Sequence, residues 1–127
     1  MQPADCSCLQ SGATCIIHTA SPSHDAKDKS IYFRVNVDGT KAVISAAVSK
    51  GVRKLVYTSS ASVVFDTSNL INVDERLPIP DKAVDAYNDS KAQAEKLVLA
   101  ANGQGGLLTV AIRPAGIFGC VDSSSIC

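Results

Sequence analysis

The distribution of apolar residues along the chain predicts three strands and two long helices. Short apolar runs over residues 15–20, 54–58 and 107–112 are typical of strands. Between these runs, apolar residues recur at helical spacing over about residues 36–50 and 83–102. Strands that alternate with helices indicate βαβ units, so the pattern favours an α/β fold with a parallel sheet. The first run lacks polar alternation, which predicts a strand buried on both faces.

Glycines mark the predicted ends of both helices. Gly51 and Gly103 stand where a helix commonly ends on a left-handed residue. The pair Gly105 and Gly106 follows the second helix and precedes a strand, which predicts a loop rather than a phosphate-binding turn. The apolar stripes of the two helices comprise Val43, Ile44, Ala47 and Val48 in the first and Ala94, Leu97, Val98 and Ala101 in the second.

The composition is that of one globular domain with a small-molecule site. The chain has 127 residues, of which 46% are hydrophobic, and this content suits one modest core. Twelve basic residues balance twelve acidic ones, and no basic block occurs. This balance argues against binding to nucleic acid or to an anionic membrane surface.

The sequence predicts neither a membrane span nor a metal site. No apolar run approaches the roughly 18 residues that a spanning helix needs, and residues 1–14 lack the Lys or Arg of a signal peptide. We therefore expect a cytoplasmic protein. The five cysteines are odd in number, and Cys6 and Cys8 lack the spacing of paired zinc ligands. Free thiols are expected.

Tyr87 and Lys91 are the first candidates for catalysis. Their spacing places a phenol and an ammonium on one face of a helix, one turn apart. A nearby cation favours the phenolate, so Lys91 would lower the pKa of Tyr87 from about 10. The phenol could then exchange a proton with an alcohol nearer neutral pH. The same spacing also occurs on ordinary amphipathic helix faces.

A serine-rich turn follows the second predicted strand. Ligands collect at the carboxyl ends of strands in open α/β sheets, so a hydroxyl from Ser60, or from Ser59 or Ser62, can meet the Tyr87 phenol there. Such a hydroxyl would donate a hydrogen bond to the reacting oxygen. The alternative is that these serines only cap and turn the chain.

Five motifs together resemble the extended short-chain dehydrogenases. They occur in the order found in that family and cover about residues 12–119. Residues 57–65 and 87–96 look most like sterol-4-alpha-carboxylate 3-dehydrogenases and 3-beta-hydroxysteroid dehydrogenases. Residues 18–22 are also similar to dihydroflavonol and cinnamoyl-CoA reductases, and sugar-nucleotide epimerases are a less close match. The motifs are His18-Thr19-Ala20-Ser21-Pro22, Asn36-Val37-Asp38-Gly39-Thr40, VYTSSASVVF at 56–65, YNDSKAQAEK at 87–96 and RPAGIFG at 113–119.

The resemblance implies a fold and roles for individual residues. The fold would be a partial Rossmann-like, doubly wound parallel sheet, with residues 1–127 as one incomplete NAD(P)-binding domain and 120–127 as a divergent tail. Tyr87 would be the general acid/base, Lys91 would lower its pKa and hold the nicotinamide ribose, and Ser60 would orient the substrate. Asn36 would brace the site. The residues near the cofactor would be Thr19, Ala20, Ser21, Pro114, Ala115 and Gly116, while Lys54 and Arg113 would be structural.

The resemblance also implies a reaction. In sterol enzymes of this type, hydride leaves the C3 carbinol carbon for NAD while the tyrosinate takes the hydroxyl proton, and the C4 carboxylate of the 3-oxo product can then leave through an enolate. The nicotinamide carries the difficult chemistry, and no metal is required. The implied function is therefore an NAD- or NADP-dependent oxidoreductase acting on the 3β-hydroxyl of a sterol or steroid. Some sterol enzymes of this group also associate with the endoplasmic reticulum.

One part of the family pattern does not occur in these 127 residues. An extended dehydrogenase has a strand, a Gly-x-x-Gly-x-x-Gly-like turn and a helix that receives the pyrophosphate, and the sequence contains no such segment. We therefore expect both ends to be truncation points, with little NAD affinity in this chain. Residues 15–20 would form an apolar edge strand, which favours pairing with another chain. The alternatives are a catalytically dead remnant that pairs with a full-length relative, or an enzyme of the dihydroflavonol or cinnamoyl-CoA reductase type.

Overall fold

The structure is a computed structural model, and it describes residues 12–117. This part of the chain contains three parallel strands and two long helices. The strands are β1 (Cys15–His18), β2 (Lys54–Thr58) and β3 (Leu108–Ile112). Helix α1 joins β1 to β2 and has three consecutive parts, Ser30–Tyr32, the π-helical Phe33–Asp38 and Gly39–Ser49. Helix α2 (Ala86–Ala100) joins β2 to β3. Short 3-10 turns lie at Ala61–Val64 and Gln104–Gly106.

The sheet has the order β1-β2-β3 with parallel pairing throughout. Ile16 pairs with Leu55, and Leu55 pairs with Thr109. Because each pair of consecutive strands is joined by a helix, the chain returns to the same end of the sheet before each strand, and the strands run parallel. The carboxyl ends of β2 and β3 therefore lie side by side. The predicted α/β fold with a Rossmann-like parallel sheet is confirmed.

Both long helices pack on one face of the sheet. Leu55 and Tyr57 of β2 point to this face, and neither is exposed to solvent. The predicted apolar stripes of the helices meet them there, and the shared cluster also contains Ala47, Val52, Ala94, Val98 and Leu107. Burial of these side chains is the main source of stability.

The opposite face of the sheet is open to solvent in residues 12–117. Ile17 is 68% exposed and Leu108 is 59% exposed, and Val110 and Ile112 on the same face are about half exposed. The prediction that the first strand is buried on both faces is therefore wrong. The physical reason is that both connecting helices cover the other face. Within residues 12–117, β1 lies at the edge of the sheet, as predicted.

Several predicted boundaries differ from those observed. Helix α1 begins at Ser30 rather than near residue 36, and β1 ends at His18 rather than at residue 20. Helix α2 begins at Ala86 because the Asp85 side chain caps it and accepts a hydrogen bond from the Asn88 backbone amide. The two glycines predicted at the helix ends have positive φ, 67° and 87°.

Some predictions lie outside the described residues. These are the free thiols at Cys6, Cys8, Cys120 and Cys127 and the divergent tail over 120–127. Cys15, within the described part, is a free and exposed thiol. No helix in residues 12–117 combines the length and the apolar character that a membrane crossing requires.

Candidate active site

A cavity of about 650 Å³ opens at the carboxyl ends of β2 and β3. Four segments form its walls: the serine turn after β2, the start of α2, the loop after β3 and, through His24, the loop between β1 and α1. Parallel sheets commonly bind ligands at this end, because the loops that leave neighbouring strands converge there. The lining residues are His24, Ser59, Ser60, Ala61, Ser62, Asp85, Tyr87, Asn88, Pro114, Ala115, Gly116 and Ile117.

Tyr87 stands at one side of this cavity, in the first turn of α2. Its ring packs edge-on against Tyr32, with 5.6 Å between the ring centroids. The Tyr32 hydroxyl donates a hydrogen bond of 2.6 Å to the His24 carbonyl oxygen, so the same ring also holds the loop that borders the cavity. Burial raises the pKa of Tyr87, and a hydrogen bond with Ser21 acts in the opposite direction.

Lys91 lies behind the cavity wall rather than in it. Only 2% of this residue is exposed. Its ammonium donates a 2.5 Å hydrogen bond to the Thr58 carbonyl oxygen and lies 4.7 Å from the centre of the Tyr57 ring. Burial lowers the pKa of Lys91 to about 8. The ammonium is directed at β2 rather than at the phenol. The pKa of Tyr87 is therefore raised by burial and not lowered by Lys91 as expected.

Asn36 braces the turn that carries Tyr87. Its side-chain amide donates a 2.9 Å hydrogen bond to the Ser90 hydroxyl, which in turn donates a 2.8 Å hydrogen bond to the Tyr87 carbonyl oxygen. Asn36 is almost fully buried, and its Oδ1 atom has no partner within the described residues. It lies in the π-helical part of α1, and such segments often occur at functional sites.

Ser60 ends a row of hydrogen bonds along the cavity wall. Its hydroxyl lies 2.7 Å from the Ser62 hydroxyl. The Ser62 hydroxyl donates a 2.6 Å hydrogen bond to Asn88 Oδ1, and the Asn88 amide nitrogen donates to the Asp85 carboxylate at 3.2 Å. The serines thus do more than turn the chain, because they connect the turn after β2 to the start of α2.

A buried ion pair joins the serine turn to the loop after β3. Glu95 is 1% exposed, and its carboxylate accepts hydrogen bonds from the Arg113 guanidinium at 2.7 and 3.0 Å. The Ser59 hydroxyl donates a further one at 2.5 Å. Since Ser59 precedes Ser60 and Arg113 precedes Pro114, Glu95 anchors both the serine turn and the loop after β3. The prediction that Arg113 is structural agrees with these contacts.

The structure brings some of the predicted site residues together and separates others. Tyr87, Ser60, Pro114, Ala115 and Gly116 all line the cavity. Ser21 does not line it; its hydroxyl donates a 3.2 Å hydrogen bond to the Pro22 carbonyl oxygen, and its influence on Tyr87 is to lower the pKa of the phenol. Thr19 and Ala20 are exposed beyond the end of β1 and do not line it. Lys54 is exposed on β2.

The sequence reasoning missed three residues that hold the walls of the site in place. Asp85 and Asn88 have the spacing of a helix cap, which the sequence could have indicated. Glu95 gave no such signal, because an acidic residue on a helix is usually exposed. Residues 12–117 contain no cluster of three or more His, Cys, Asp or Glu side chains that could hold a metal.

Comparison with known proteins decides the family. The model of the 3-beta hydroxysteroid dehydrogenase/isomerase family matches residues 3–126. The chain belongs to this family. It is 58% identical over 105 residues to the sterol-4-alpha-carboxylate 3-dehydrogenase erg26, decarboxylating, of Schizosaccharomyces pombe, covering 82% of this chain and 30% of that protein. It is 44% identical over 109 residues to the sterol-4-alpha-carboxylate 3-dehydrogenase, decarboxylating, of Homo sapiens, covering 85% and 29%.

Solved structures agree on the fold. A short-chain dehydrogenase/reductase superfamily protein from Agrobacterium tumefaciens with bound NAD superposes with a TM-score of 0.72 and 30% identity, over 80% of this chain and 31% of that one. The Bordetella bronchiseptica enzyme WbmH in complex with NAD+ gives a TM-score of 0.74 and 25% identity, over 88% and 36%. The chain spans about a third of the length of the relatives and of the solved structures that it matches.

Proposed function

We propose that this chain carries the acid-base part of an active site that oxidises the 3β-hydroxyl of a sterol or steroid, with NAD or NADP as the hydride acceptor. The observation that supports this proposal is the cavity in which the Tyr87 phenol, the Ser60 hydroxyl and the loop of Pro114 meet. The names of the relatives, which act on sterol-4-alpha-carboxylates, support the substrate class. We infer a cytoplasmic location beside the endoplasmic reticulum, where such substrates would be met.

Each residue has one task in this proposal. The Tyr87 phenol exchanges a proton with the sterol hydroxyl, and Ser60 donates a hydrogen bond to the same oxygen. Lys91, one turn further along α2, supplies a positive charge from behind the cavity wall, where its ammonium donates to the Thr58 carbonyl oxygen. Burial lowers the pKa of Lys91 to about 8. Its side chain is therefore positively charged at neutral pH, and this charge is lost only as the pH rises through that value.

The residues present fit one half of the cofactor. The small, partly exposed residues Pro114, Ala115 and Gly116 form a wall against which a flat nicotinamide ring can lie. When bound, the nicotinamide accepts the hydride from the carbinol carbon. The loop of residues 19–29 between β1 and α1 contains no glycine, so it cannot form the glycine-rich turn that holds a pyrophosphate. Asn36 lies next to the turn that carries Tyr87, and its Oδ1 has no hydrogen-bond partner within residues 12–117.

A segment exchange tests the proposal. The 105 matched residues of the Schizosaccharomyces pombe relative would be replaced by those of this chain, and NAD reduction would be measured with a 3β-hydroxysterol 4-carboxylate. We expect activity, and we expect Tyr87→Phe to lower kcat by about 100-fold to 10,000-fold because the proton acceptor is lost. Lys91→Met should also lower kcat.

The matched control is Lys96→Met, which removes an exposed ammonium from the same helix and should leave kcat unchanged. A folded exchange protein that oxidises no sterol would contradict the proposal. So would a Tyr87→Phe variant with unchanged kcat. For the isolated 127-residue chain, calorimetry should detect little NAD binding, and a clear micromolar affinity would show that the glycine-rich segment is dispensable.

A second candidate function is association with a longer relative. The observation that favours it is that β1 forms a sheet edge in the described residues and that the adjoining face exposes Ile17 and Leu108. An exposed apolar edge invites pairing with another chain. Co-purification with a full-length dehydrogenase would support this candidate. A stable monomer in analytical ultracentrifugation, in the presence of that relative, would refute it.

A further inference from the structure

The hydrogen bonds that lead to Ser60 can run in only one direction. The Asp85 carboxylate only accepts hydrogen bonds, so the Asn88 side chain must present its NH2 group to Asp85 at 3.2 Å. Its Oδ1 atom then faces Ser62, 2.6 Å away. The Asn88 backbone amide also donates to Asp85 at 2.8 Å, which holds the residue in place. Asn88 is buried, with 7% exposed.

This direction commits the protons of both serines. Ser62 has a single hydroxyl proton and donates it to Asn88. The 2.7 Å contact between the two serine hydroxyls must therefore be a bond that Ser60 donates and Ser62 accepts. Ser60 also accepts a hydrogen bond from the Ser62 backbone amide at 3.2 Å. The Ser62 hydroxyl has no proton left for Ser60, so the Ser60 hydroxyl is the donor in the contact between the two serines.

We propose that Asp85, Asn88 and Ser62 are positioning residues. They keep the Ser60 hydroxyl donating its hydrogen bond to Ser62 until an oxygen in the cavity competes for that bond. The inference rests on the proposed function, since it assigns Ser60 its role toward the reacting oxygen. To donate to that oxygen, Ser60 must give up its bond to Ser62. When the oxygen in the cavity is uncharged, Ser60 replaces its neutral hydrogen bond to Ser62 with another neutral hydrogen bond.

The exchange becomes favourable as charge develops. A hydrogen bond to an anionic oxygen is roughly twice as strong as a neutral one. Ser60 therefore gains little by turning to a neutral sterol oxygen and much more by turning to an oxygen that is becoming an alkoxide. Interactions that are stronger in the transition state than in the ground state raise kcat. Ser62 thus suppresses ground-state binding by Ser60 without suppressing its contribution to the transition state.

The first experiment tests the hydrogen-bond row without any ligand. Ser62→Ala, Asn88→Ala and the double variant of the 127-residue chain would be unfolded in urea. Because both changes break the same bond, the double variant should shift the unfolding midpoint by less than the sum of the two single shifts. Ser62→Thr, which keeps the hydroxyl, should retain the wild-type midpoint. Additive shifts would overturn the inference.

If Asn88→Ala does not fold, an NMR measurement replaces the cycle. In the 15N-labelled chain, Ser62→Ala should shift the side-chain amide signal of Asn88, whereas Ser62→Thr should leave it in place. An unchanged signal in Ser62→Ala would equally overturn the inference.

The second experiment measures binding of dihydrotestosterone, a 3-oxo steroid whose ketone oxygen only accepts hydrogen bonds. Ser62→Ala removes the competing acceptor, so it should bind about threefold to tenfold more tightly than wild type, the equivalent of one neutral hydrogen bond. Ser60→Ala should bind no more tightly. A merely structural role for Ser62 predicts the opposite, weaker binding in Ser62→Ala, and that result would refute the inference.

The two experiments separate the two proposals. If no variant binds steroid, the urea cycle alone decides whether the row of hydrogen bonds exists, and the segment exchange decides the proposed function. If the cycle shows coupling and Ser62→Ala binds steroid more tightly, both proposals are supported. Ser62→Thr, with its hydroxyl retained, should restore wild-type affinity.

Discussion

The buried pair of Glu95 and Arg113 offers the sharpest test of how this fold is held together. In Arg113→Met, the Glu95 carboxylate stays buried but loses all of its bonds to the guanidinium, at 2.7, 3.0 and 3.2 Å. Among residues 12–117, only the hydrogen bond from Ser59 remains. We therefore expect a large loss of stability, because the burial of an uncompensated charge is costly.

The magnitude follows from the geometry. Removing one partner of a buried ion pair typically costs about 3–5 kcal/mol in free energy of unfolding. We expect a cost in this range because Glu95 is 1% exposed, so that its carboxylate has little contact with solvent. Arg113 also donates to the Glu75 carbonyl oxygen, which adds a loop contact to the loss. A small domain has about 5–15 kcal/mol in total, so the variant would be at the edge of folding.

Urea unfolding followed by far-UV circular dichroism measures the effect. The double variant Glu95→Met/Arg113→Met should be more stable than Arg113→Met alone, because it removes the buried charge together with its partner. Arg76→Met is the matched control. Its ion pair with Asp74 is exposed, with 91% and 46% of the two side chains accessible, so the unfolding midpoint should hardly move.

Two results would refute this reasoning. One is an Arg113→Met variant that loses no more stability than Arg76→Met, since burial would then not govern the cost. The other is a double variant that is less stable than the Arg113→Met single variant. That outcome would mean that packing of the guanidinium, rather than its charge, stabilises the joint between α2 and the end of β3.

The remaining predictions concern Lys91 and the exposed face of the sheet. Burial lowers the pKa of Lys91 to about 8 from 10.5, so the unfolded chain binds more protons between those values and the stability of wild type should rise with pH across that window. Lys91→Met should be more stable than wild type at pH 7 and should lack this rise, while the exposed Lys96→Met should keep it; urea midpoints at pH 7 and 10 measure both, and a rise that persists in Lys91→Met would contradict the assignment. On the open face, Val110→Thr/Ile112→Thr should reduce binding of the dye ANS and light scattering without lowering the melting temperature, because both side chains are about half exposed. Leu55→Ala on the covered face should cost about 2–5 kcal/mol, and equal costs on the two faces would contradict the one-sided packing.

Local patterns predicted most of the fold. The alternation of apolar runs with helical stripes was enough for the parallel sheet, because each strand must be followed by a helix that packs back onto it. Gly51 and Gly103 marked the ends of the helices through their positive φ. The spacing of Tyr87 and Lys91, together with the serine turn, located the cavity. These features depend only on neighbours in sequence.

Contacts between distant residues decided the rest. The sequence shows that Tyr87 and Lys91 share a helix, but only the packing of α2 on β2 directs the Lys91 ammonium to the Thr58 carbonyl oxygen instead of the phenol. Likewise, Glu95 reads as a surface residue until β3 brings Arg113 to it. Periodicity specifies which face of an element is apolar, whereas the partner of a buried charge depends on which elements meet in three dimensions. For that reason the sequence by itself determined the sheet, the helices and the candidate residues, and the tertiary structure decided which of those residues share a hydrogen bond.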